Sequence, residues 1–296
     1  MPNIHAAESL GDSLHDELYE LIEETNTTTE LDEMKAILLG QNSNFLDAAI
    51  GENGIGTLVM KCVYVIAGGI MAVNLLIEVI HESERGEFNG DSVIRIVTKM
   101  TVAMVCILYA DEFVRAIQEI GKILVETISA QAGKAELLYK NSASIEWINN
   151  MKAAADETAG MGTWSATPAI IETTGFASPI LKLMTLAIKT VSYALFIEIA
   201  IRKAFVPIAM VGIVNDGPRS PGIRYLQKYF CVYLKMAIVI VALSVANIIV
   251  YTTQMTYGSG FSSIMTSLYD AWKVKAAALI FIKNGSSMAE EIMGIR

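Results

Sequence analysis

Long apolar runs are the feature that most limits what this chain can fold into. Three of them, residues 59–80, 183–201 and 229–251, contain few charged side chains. Each is about twenty residues long, the length that an α-helix needs to cross the hydrocarbon layer of a membrane. Only 18% of the 296 residues are charged, whereas about a quarter are charged in an average soluble domain. We therefore predict an all-α, polytopic helical membrane protein; the alternative is a soluble helical bundle with buried core helices.

Composition divides the chain into five regions. Residues 1–57 are strongly acidic and carry leucines at helical spacing, which predicts an extracytoplasmic region with amphipathic helices. Residues 58–110 form a predicted transmembrane hairpin, and residues 111–178 a large extracytoplasmic loop with an amphipathic helix. Residues 179–284 hold the C-terminal transmembrane helices, and residues 285–296 a cytoplasmic tail.

About five transmembrane helices are expected within these regions. The hairpin supplies two, residues 59–80 and 93–110, and the C-terminal region supplies residues 179–203 and 229–251. The fifth candidate, residues 263–282, is interrupted by three charged side chains. Because charge inside the hydrocarbon layer is costly, this segment either crosses only when it packs in a bundle or lies on the membrane surface.

The loop of residues 202–228 predicts the orientation of the chain. Its charged residues are Arg202, Lys203, Arg219, Arg224 and Lys228 against the single acid Asp216. A short loop with such an excess of Lys and Arg is held on the cytoplasmic side of the cell membrane. Tracing the spans outward from this loop predicts an outside N-terminus and a cytoplasmic C-terminus.

A rigid turn, NDGPRSPGIRYLQKYF, precedes the fourth span. Gly217 and Pro218 favour a turn. Ser220 followed by Pro221 predicts the start of a helix, because the serine hydroxyl can accept an unpaired amide and proline loses no hydrogen bond at the first helical position. We therefore expect a helix from Ser220 that continues into the span.

Basic side chains follow this helix start. Arg224, Lys228 and Lys235 fall on one helical face, with Cys231 between them. Cations in the first turns oppose the helix dipole, so helix propensity does not explain them. Two interpretations are open. The charges, with Arg219 before them, bind lipid phosphates and fix the orientation, or they form a basic surface at a pore entrance or docking site for an acidic protein or a nucleic-acid backbone.

Two further side chains are candidates for the substrate path. Lys189 lies near the middle of the third span, where an ionisable residue is a functional hypothesis; a structural polar contact is the alternative. Its expected neighbours are Asn74, Asn247 or a carboxylate of another chain. Trp164, in the large loop, is either an anchor at the membrane interface or a contact for substrate or partner.

Motifs for enzymatic chemistry are absent from the sequence. No GxxxxGK[ST], HExxH or GxSxG segment occurs, and the three histidines and three cysteines have no metal-ligand spacing. We therefore expect a protein that is not an enzyme and that holds no cofactor and no metal ion.

The segment of residues 205–238 reads FVPIAMVGIVNDGPRSPGIRYLQKYFCVYLKMAI. One span closes with Phe205, Pro207, Ile208 and Ala209, and the next opens with Arg219, Ser220, Gly222, Arg224, Tyr225, Leu226 and Lys228. This arrangement resembles the polytopic cytoplasmic-membrane subunit of type IV secretion systems, the TrbL/VirB-six-like family of conjugation machinery. The C-terminal KNGSSMAEEIMGI is also similar to the small-polar tails of that family.

The resemblance implies a channel or scaffold subunit that helps single-stranded DNA, with its attached relaxase, across the cytoplasmic membrane. It also implies a homo-oligomer within a larger complex, with a secretion ATPase and other secretion subunits as partners beside the membrane lipids. Pro207, Gly217, Ser220, Pro221 and Gly222 would then shape the turn and the helix start. The alternatives are a small-solute or ion transporter with Lys189 at its site, and an accessory membrane protein whose basic loop recruits partners.

Overall fold

The computed structural model is all-helical in the residues that it describes, which are 36, 51, 53–84, 89–160, 167–214, 220–254 and 261–295. Most of the acidic region 1–57, with its predicted amphipathic helices, lies outside these residues. Trp164, Gly217 and Arg219 also lie outside them. The predictions on these parts of the chain stay predictions.

Six long helices account for nearly all of the described residues. They are α1 (Ile55–Glu84), α2 (Gly90–Leu108), α3 (Ala110–Gly160), α4 (Thr167–Val211), α5 (Pro221–Gln254) and α6 (Phe261–Ile292). A short 3₁₀ turn, Gly212–Val214, follows α4. The region expected as a large loop is therefore helical from its start to Gly160, and the expected C-terminal tail continues α6 to Ile292.

Two of these helices, α1 and α5, are long and apolar enough to cross a membrane. The number rises to three if α2 and Ala110–Tyr139 of α3 form one broken span, since their axes meet at 55°. Within the residues that the structure describes, the number of candidate spans therefore agrees with a membrane protein. The count of five spans stays a prediction.

The break between α2 and α3 lies at Tyr109. Its φ of −96° and ψ of 14° fall between the helical and extended regions, so the helix axis turns there. Hydrogen bonds continue across the break: the Tyr109 amide donates to the Val105 carbonyl, and the Phe113 amide donates to the Tyr109 carbonyl. The chain thus bends without losing these backbone hydrogen bonds.

The chain separates into two compact units. One, called here the hairpin unit, comprises Ala36–Glu126, Ser192–Ala237 and Ser286–Arg296. The other, the second unit, comprises the described residues within Thr127–Val191 and Ile238–Gly285.

In the hairpin unit, α1 and α2 pack as an antiparallel hairpin. Asn89 caps α2, because its side-chain oxygen accepts a hydrogen bond from the Ser92 amide at 3.1 Å. Small side chains such as Ala67 are fully buried, whereas Val65 is 78% exposed and Ile94 66% exposed. Large apolar side chains on the outside of a helix pair agree with a lipid or protein neighbour.

Helices α3 and α5 approach closely in the same unit. Gly121 makes this possible, since a Cβ atom there would lie 2.3 Å from Cγ of Tyr233. Tyr229 is fully buried, and its hydroxyl accepts a hydrogen bond from Nε2 of Gln118 at 2.8 Å. The Tyr229 and Tyr233 rings meet edge to face, with centroids 6.0 Å apart.

In the second unit, the later half of α5 packs beside α6 and α3. A Cβ atom on Gly285 of α6 would lie 3.4 Å from Ile238. Asn247 of α5 donates a hydrogen bond from its side-chain amide to Oε1 of Glu136 of α3 at 3.0 Å. Glu136 and Lys275 are both buried in this unit, so its apolar packing includes charged groups.

Candidate docking surface at the α4–α5 elbow

The elbow between α4 and α5 is a tight turn of the backbone. Ser220 is fully buried, and its Oγ accepts a hydrogen bond from the Ile223 amide at 3.3 Å. α5 begins at the next residue, Pro221. The cap satisfies one of the free amides of the helix start, so the local sequence fixes where α5 begins.

Gly222 holds α5 against the end of α4. A Cβ atom on Gly222 would lie 2.5 Å from the carbonyl oxygen of Ala209 and 3.2 Å from Cα of Ile213. Both neighbours are backbone atoms, so a larger residue could not be accommodated by moving a side chain. Pro207 is buried in the last part of α4, and its ring lacks the amide that would continue the helical ladder.

A side chain of α5 also binds the backbone of α4. The hydroxyl of Tyr225 donates a hydrogen bond to the Arg202 carbonyl at 2.9 Å. With the Gly222 contact, this bond aligns the first turns of α5 with the last turns of α4. The elbow is therefore a fixed platform for the side chains that point away from it.

Two cations are presented by this platform. Arg224 and Lys228 lie one helical turn apart on α5, and both are exposed. Opposite charges or phosphates can approach them without disturbing the packing. Of the predicted basic face, they are the cations that the described structure leaves accessible.

Lys235, the third member of the predicted face, has a different environment. Its side chain is only 10% exposed, and its Nζ lies 3.4 Å from Oε1 of Glu198 on α4. Arg202 binds the same oxygen, with Nε at 2.8 Å and Nη2 at 2.7 Å. Cys231, between the exposed and buried parts of the face, is also buried. The basic face therefore divides into an exposed pair and a buried contact between helices.

The Glu198–Arg202–Lys235 cluster joins two cations to one carboxylate and has a formal charge of +1. The sequence indicated the Glu198–Arg202 pair by its spacing of four residues. It did not indicate that Lys235 joins the pair. Ionisable groups inside a membrane protein are usually paired in this way, because an unpaired charge in an apolar environment is costly.

Lys189, the other predicted candidate, is half-buried in α4 within the second unit. One of its expected neighbours, Asn247, lies in the same unit and donates its amide to Glu136. Asn74, another expected neighbour, lies on α1 in the hairpin unit and borders a polar cleft there.

Two ion pairs that sequence reasoning missed join α1 to α2. Lys99 Nζ lies 2.5 Å from Glu78 Oε1, and Arg95 binds Glu82 Oε1 one turn further along. The sequence contained a signal for these pairs. Two carboxylates spaced four residues apart, Glu78 and Glu82, lie near the end of α1. Two cations with the same spacing, Arg95 and Lys99, lie near the start of α2 after a short turn. An antiparallel hairpin brings such pairs face to face.

No metal site is formed by the residues described, since none of their His, Cys, Asp and Glu side chains group in threes. Comparison of the chain with models of protein families, with curated proteins and with solved structures gives no match. Its function is therefore argued from the residues themselves.

Proposed function

We propose that this chain is a multi-pass protein of the cell membrane that serves as a channel or scaffold subunit of a conjugative type IV secretion system. In this role it helps to move single-stranded DNA with its attached protein across the cytoplasmic membrane. The observation that carries the proposal is the exposed pair Arg224 and Lys228 at the start of α5. This pair lies within the segment whose residues resemble the secretion family, on a helix apolar enough to cross the membrane.

Electrostatics supports a nucleic-acid backbone or an acidic protein as the substrate of this surface. Each exposed cation can contact one phosphate, and such contacts are independent of base sequence, as transfer of any DNA strand requires. The chain carries a net charge of −9. That total does not oppose the proposal, because the field near a substrate path depends on the charges beside it.

The proposed arrangement has five spans, with the N-terminus outside, the loop 202–228 inside and the C-terminus in the cytoplasm. The α4–α5 elbow then faces the cytoplasm, where a secretion ATPase delivers the substrate. Trp164 lies outside in the loop 111–178 and contacts substrate or partner. The chain assembles with copies of itself, with other secretion subunits and with membrane lipids.

Charge reversal tests the proposal. The variant Arg224→Glu with Lys228→Glu should abolish DNA transfer from a donor cell that depends on it, while membrane insertion and assembly continue. The matched control is Lys134→Glu with Lys283→Glu, which reverses two exposed lysines elsewhere and should leave transfer within about twofold. Normal transfer by the elbow variant would refute a role for this surface in the DNA path.

A small-solute or ion transporter is the second candidate. The observation that favours it is a buried Glu136 bonded to Asn247 in the unit that also holds Lys189, since ionisable groups among apolar helices often mark ion pathways. Lys189→Met distinguishes the two functions. Under the transporter candidate, the wild-type chain carries a flux of solute or ion that this variant abolishes, whereas under the secretion proposal neither protein carries such a flux.

A further inference from the structure

A polar cleft opens beside the turn end of the α1–α2 hairpin, and neither Arg224 nor Lys228 lines it. It has a volume of about 480 Å³, within the range of about 300–1,000 Å³ that small-molecule sites occupy. Its polar lining is Asn74, Glu78, His81, Glu82, Arg95 and Lys99. The two ion pairs between α1 and α2 therefore form its walls.

One carboxylate in this cleft is incompletely bonded. The Glu82 side chain is 9% exposed, and its Oε1 binds Arg95. Its Oε2 is buried and has no hydrogen-bond partner among the described residues. A buried carboxylate oxygen without a donor costs free energy, so a ligand that supplies an N–H group there would be stabilised.

The cations of the cleft can reach an anion. The Arg95 side chain is 57% exposed, and it has guanidinium N–H groups beyond the one that binds Glu82. Lys99, paired with Glu78, is 36% exposed. A phosphate can therefore bind the guanidinium in bidentate geometry while an ammonium group takes a place beside the Glu82 carboxylate.

The charges and walls of the cleft restrict what fits. Two carboxylates and two cations give no net formal charge, which favours a zwitterion over an anion. The surfaces beside the cleft are apolar: Ile77 lines it, and the neighbouring Ile80 and Ile94 are more than half exposed. Because α1 is long enough to cross a membrane, and Glu82 and Arg95 lie near the turn that follows it, we expect these two charged groups to lie close to the depth of lipid headgroups.

We propose that the Glu82, Arg95 and Lys99 side chains, which the α1–α2 hairpin brings together near its turn, bind the headgroup of an aminophospholipid of the ethanolamine type. The phosphate contacts Arg95 and Lys99, and the primary ammonium donates a hydrogen bond to Glu82 Oε2. The acyl chains lie on the exposed apolar residues of α1 and α2. A choline headgroup fits less well, because a quaternary ammonium has no N–H to donate.

Native mass spectrometry of the full chain in detergent micelles tests this assignment. Phosphatidylethanolamine, phosphatidylcholine and phosphatidylglycerol are titrated separately, and bound lipid is counted. One phosphatidylethanolamine should bind about tenfold more tightly than phosphatidylcholine, the difference that one charge-assisted hydrogen bond supplies. It should also bind several-fold more tightly than phosphatidylglycerol. Equal binding of all three, or preference for phosphatidylglycerol, would overturn the proposal.

The variant Glu82→Gln isolates the ammonium contact. It should bring the ratio of ethanolamine to choline lipid to within about twofold, whereas the control Asp270→Asn, which removes the carboxylate of the Lys273–Asp270 pair on α6, should leave the ratio unchanged. An unchanged ratio in Glu82→Gln would overturn the assignment. If that variant does not fold, Glu82→Asp carries the same test, because the shorter side chain withdraws the carboxylate from the ammonium; the ratio of ethanolamine to choline lipid should fall several-fold.

Soluble phosphoethanolamine separates a lipid from a free zwitterion. Added to the complex, it should displace the lipid only at concentrations at least about a hundredfold higher, because it lacks the acyl chains that contact α1 and α2. Displacement at equal concentration would show that the cleft takes a soluble zwitterion and would overturn the lipid assignment.

Discussion

Lys235 Nζ lies 3.4 Å from Glu198 Oε1, although 37 residues separate the two in the chain. The contact joins α5 to α4 below the elbow and gives the buried lysine a counter-charge. It also removes Lys235 from the surface on which Arg224 and Lys228 are exposed. Lys235 thus stabilises the elbow platform, on which Arg224 and Lys228 are exposed.

Removal of the carboxylate from this cluster should destabilise the protein strongly. Glu198→Gln leaves two cations close together without a counter-charge and should cost about 3 kcal/mol, toward the lower end of values for broken buried pairs. Lys235→Met leaves Glu198 paired with Arg202 and should cost less than about 1 kcal/mol. The measurement is unfolding in mixed micelles, with the free energy of each variant obtained from the denaturant midpoint.

The double variant Glu198→Gln with Lys235→Met completes the cycle. It should be more stable than Glu198→Gln alone, with a coupling of about 1–2 kcal/mol, because the uncompensated lysine is gone. The exposed Lys273–Asp270 pair is the control, and its cycle should give a coupling below about 0.5 kcal/mol. A double-variant cost equal to the sum of the two single-variant costs would show that the two charges do not interact.

The approach of α3 to α5 should be sensitive to a single methyl group. Gly121→Ala places a Cβ atom where the base of the Tyr233 ring lies, and the helices must move apart at a cost of about 1–3 kcal/mol. Gly69→Ala is the control, since nothing lies within 4 Å of its Cβ position; it should be neutral or stabilising by up to about 1 kcal/mol. The melting temperatures of both variants in micelles measure the difference. Equal shifts would mean that the two helices do not pack through this glycine.

Helix positions could be predicted from the sequence to a useful extent because their signals are local. The Ser220–Pro221 pair indicates a helix start, and α5 begins there. The region after residue 110 was expected as a loop with an amphipathic helix, yet α3 continues to Gly160. α3 contains no proline, and the isolated glycines inside it, Gly121 and Gly133, do not end the helix.

Contacts between helices could not be predicted in the same way. The Lys235–Glu198 contact depends on the register of α4 against α5, which local spacing does not give. The charges of the basic face have the correct helical periodicity, but periodicity alone does not tell which part of a face packs against another helix. Burial therefore separates Lys235 from Arg224 and Lys228, a distinction absent from the sequence pattern.

The hydrogen bond between Gln118 and Tyr229 should matter because the tyrosine is fully buried. Gln118→Leu removes the donor and should cost about 1–3 kcal/mol, the usual penalty for an unsatisfied buried group. Tyr229→Phe removes the hydroxyl and leaves the more accessible glutamine, so it should cost less. The double variant should recover part of the loss. If Gln118→Leu unfolds at the wild-type denaturant concentration, this bond does not stabilise the hairpin unit.

The predicted orientation can be tested by cysteine labelling in intact cells. Lys228 is a suitable probe site on the basic loop, because its side chain is exposed. In a background without Cys62, Cys106 and Cys231, a membrane-impermeant maleimide should label Trp164→Cys from outside. It should label Lys228→Cys only after the membrane is permeabilised, because the predicted orientation places the basic loop on the cytoplasmic side.

The permeabilised sample is also the control for reactivity, since both cysteines should then be labelled. Labelling of Lys228→Cys in intact cells, with Trp164→Cys protected, would invert the topology. The elbow would then face away from the compartment in which a secretion ATPase acts, and Arg224 and Lys228 could not receive DNA at the entrance of a channel. The same result would move the α1–α2 cleft to the outer leaflet without changing its chemistry, so the lipid proposal and the secretion proposal can fail independently.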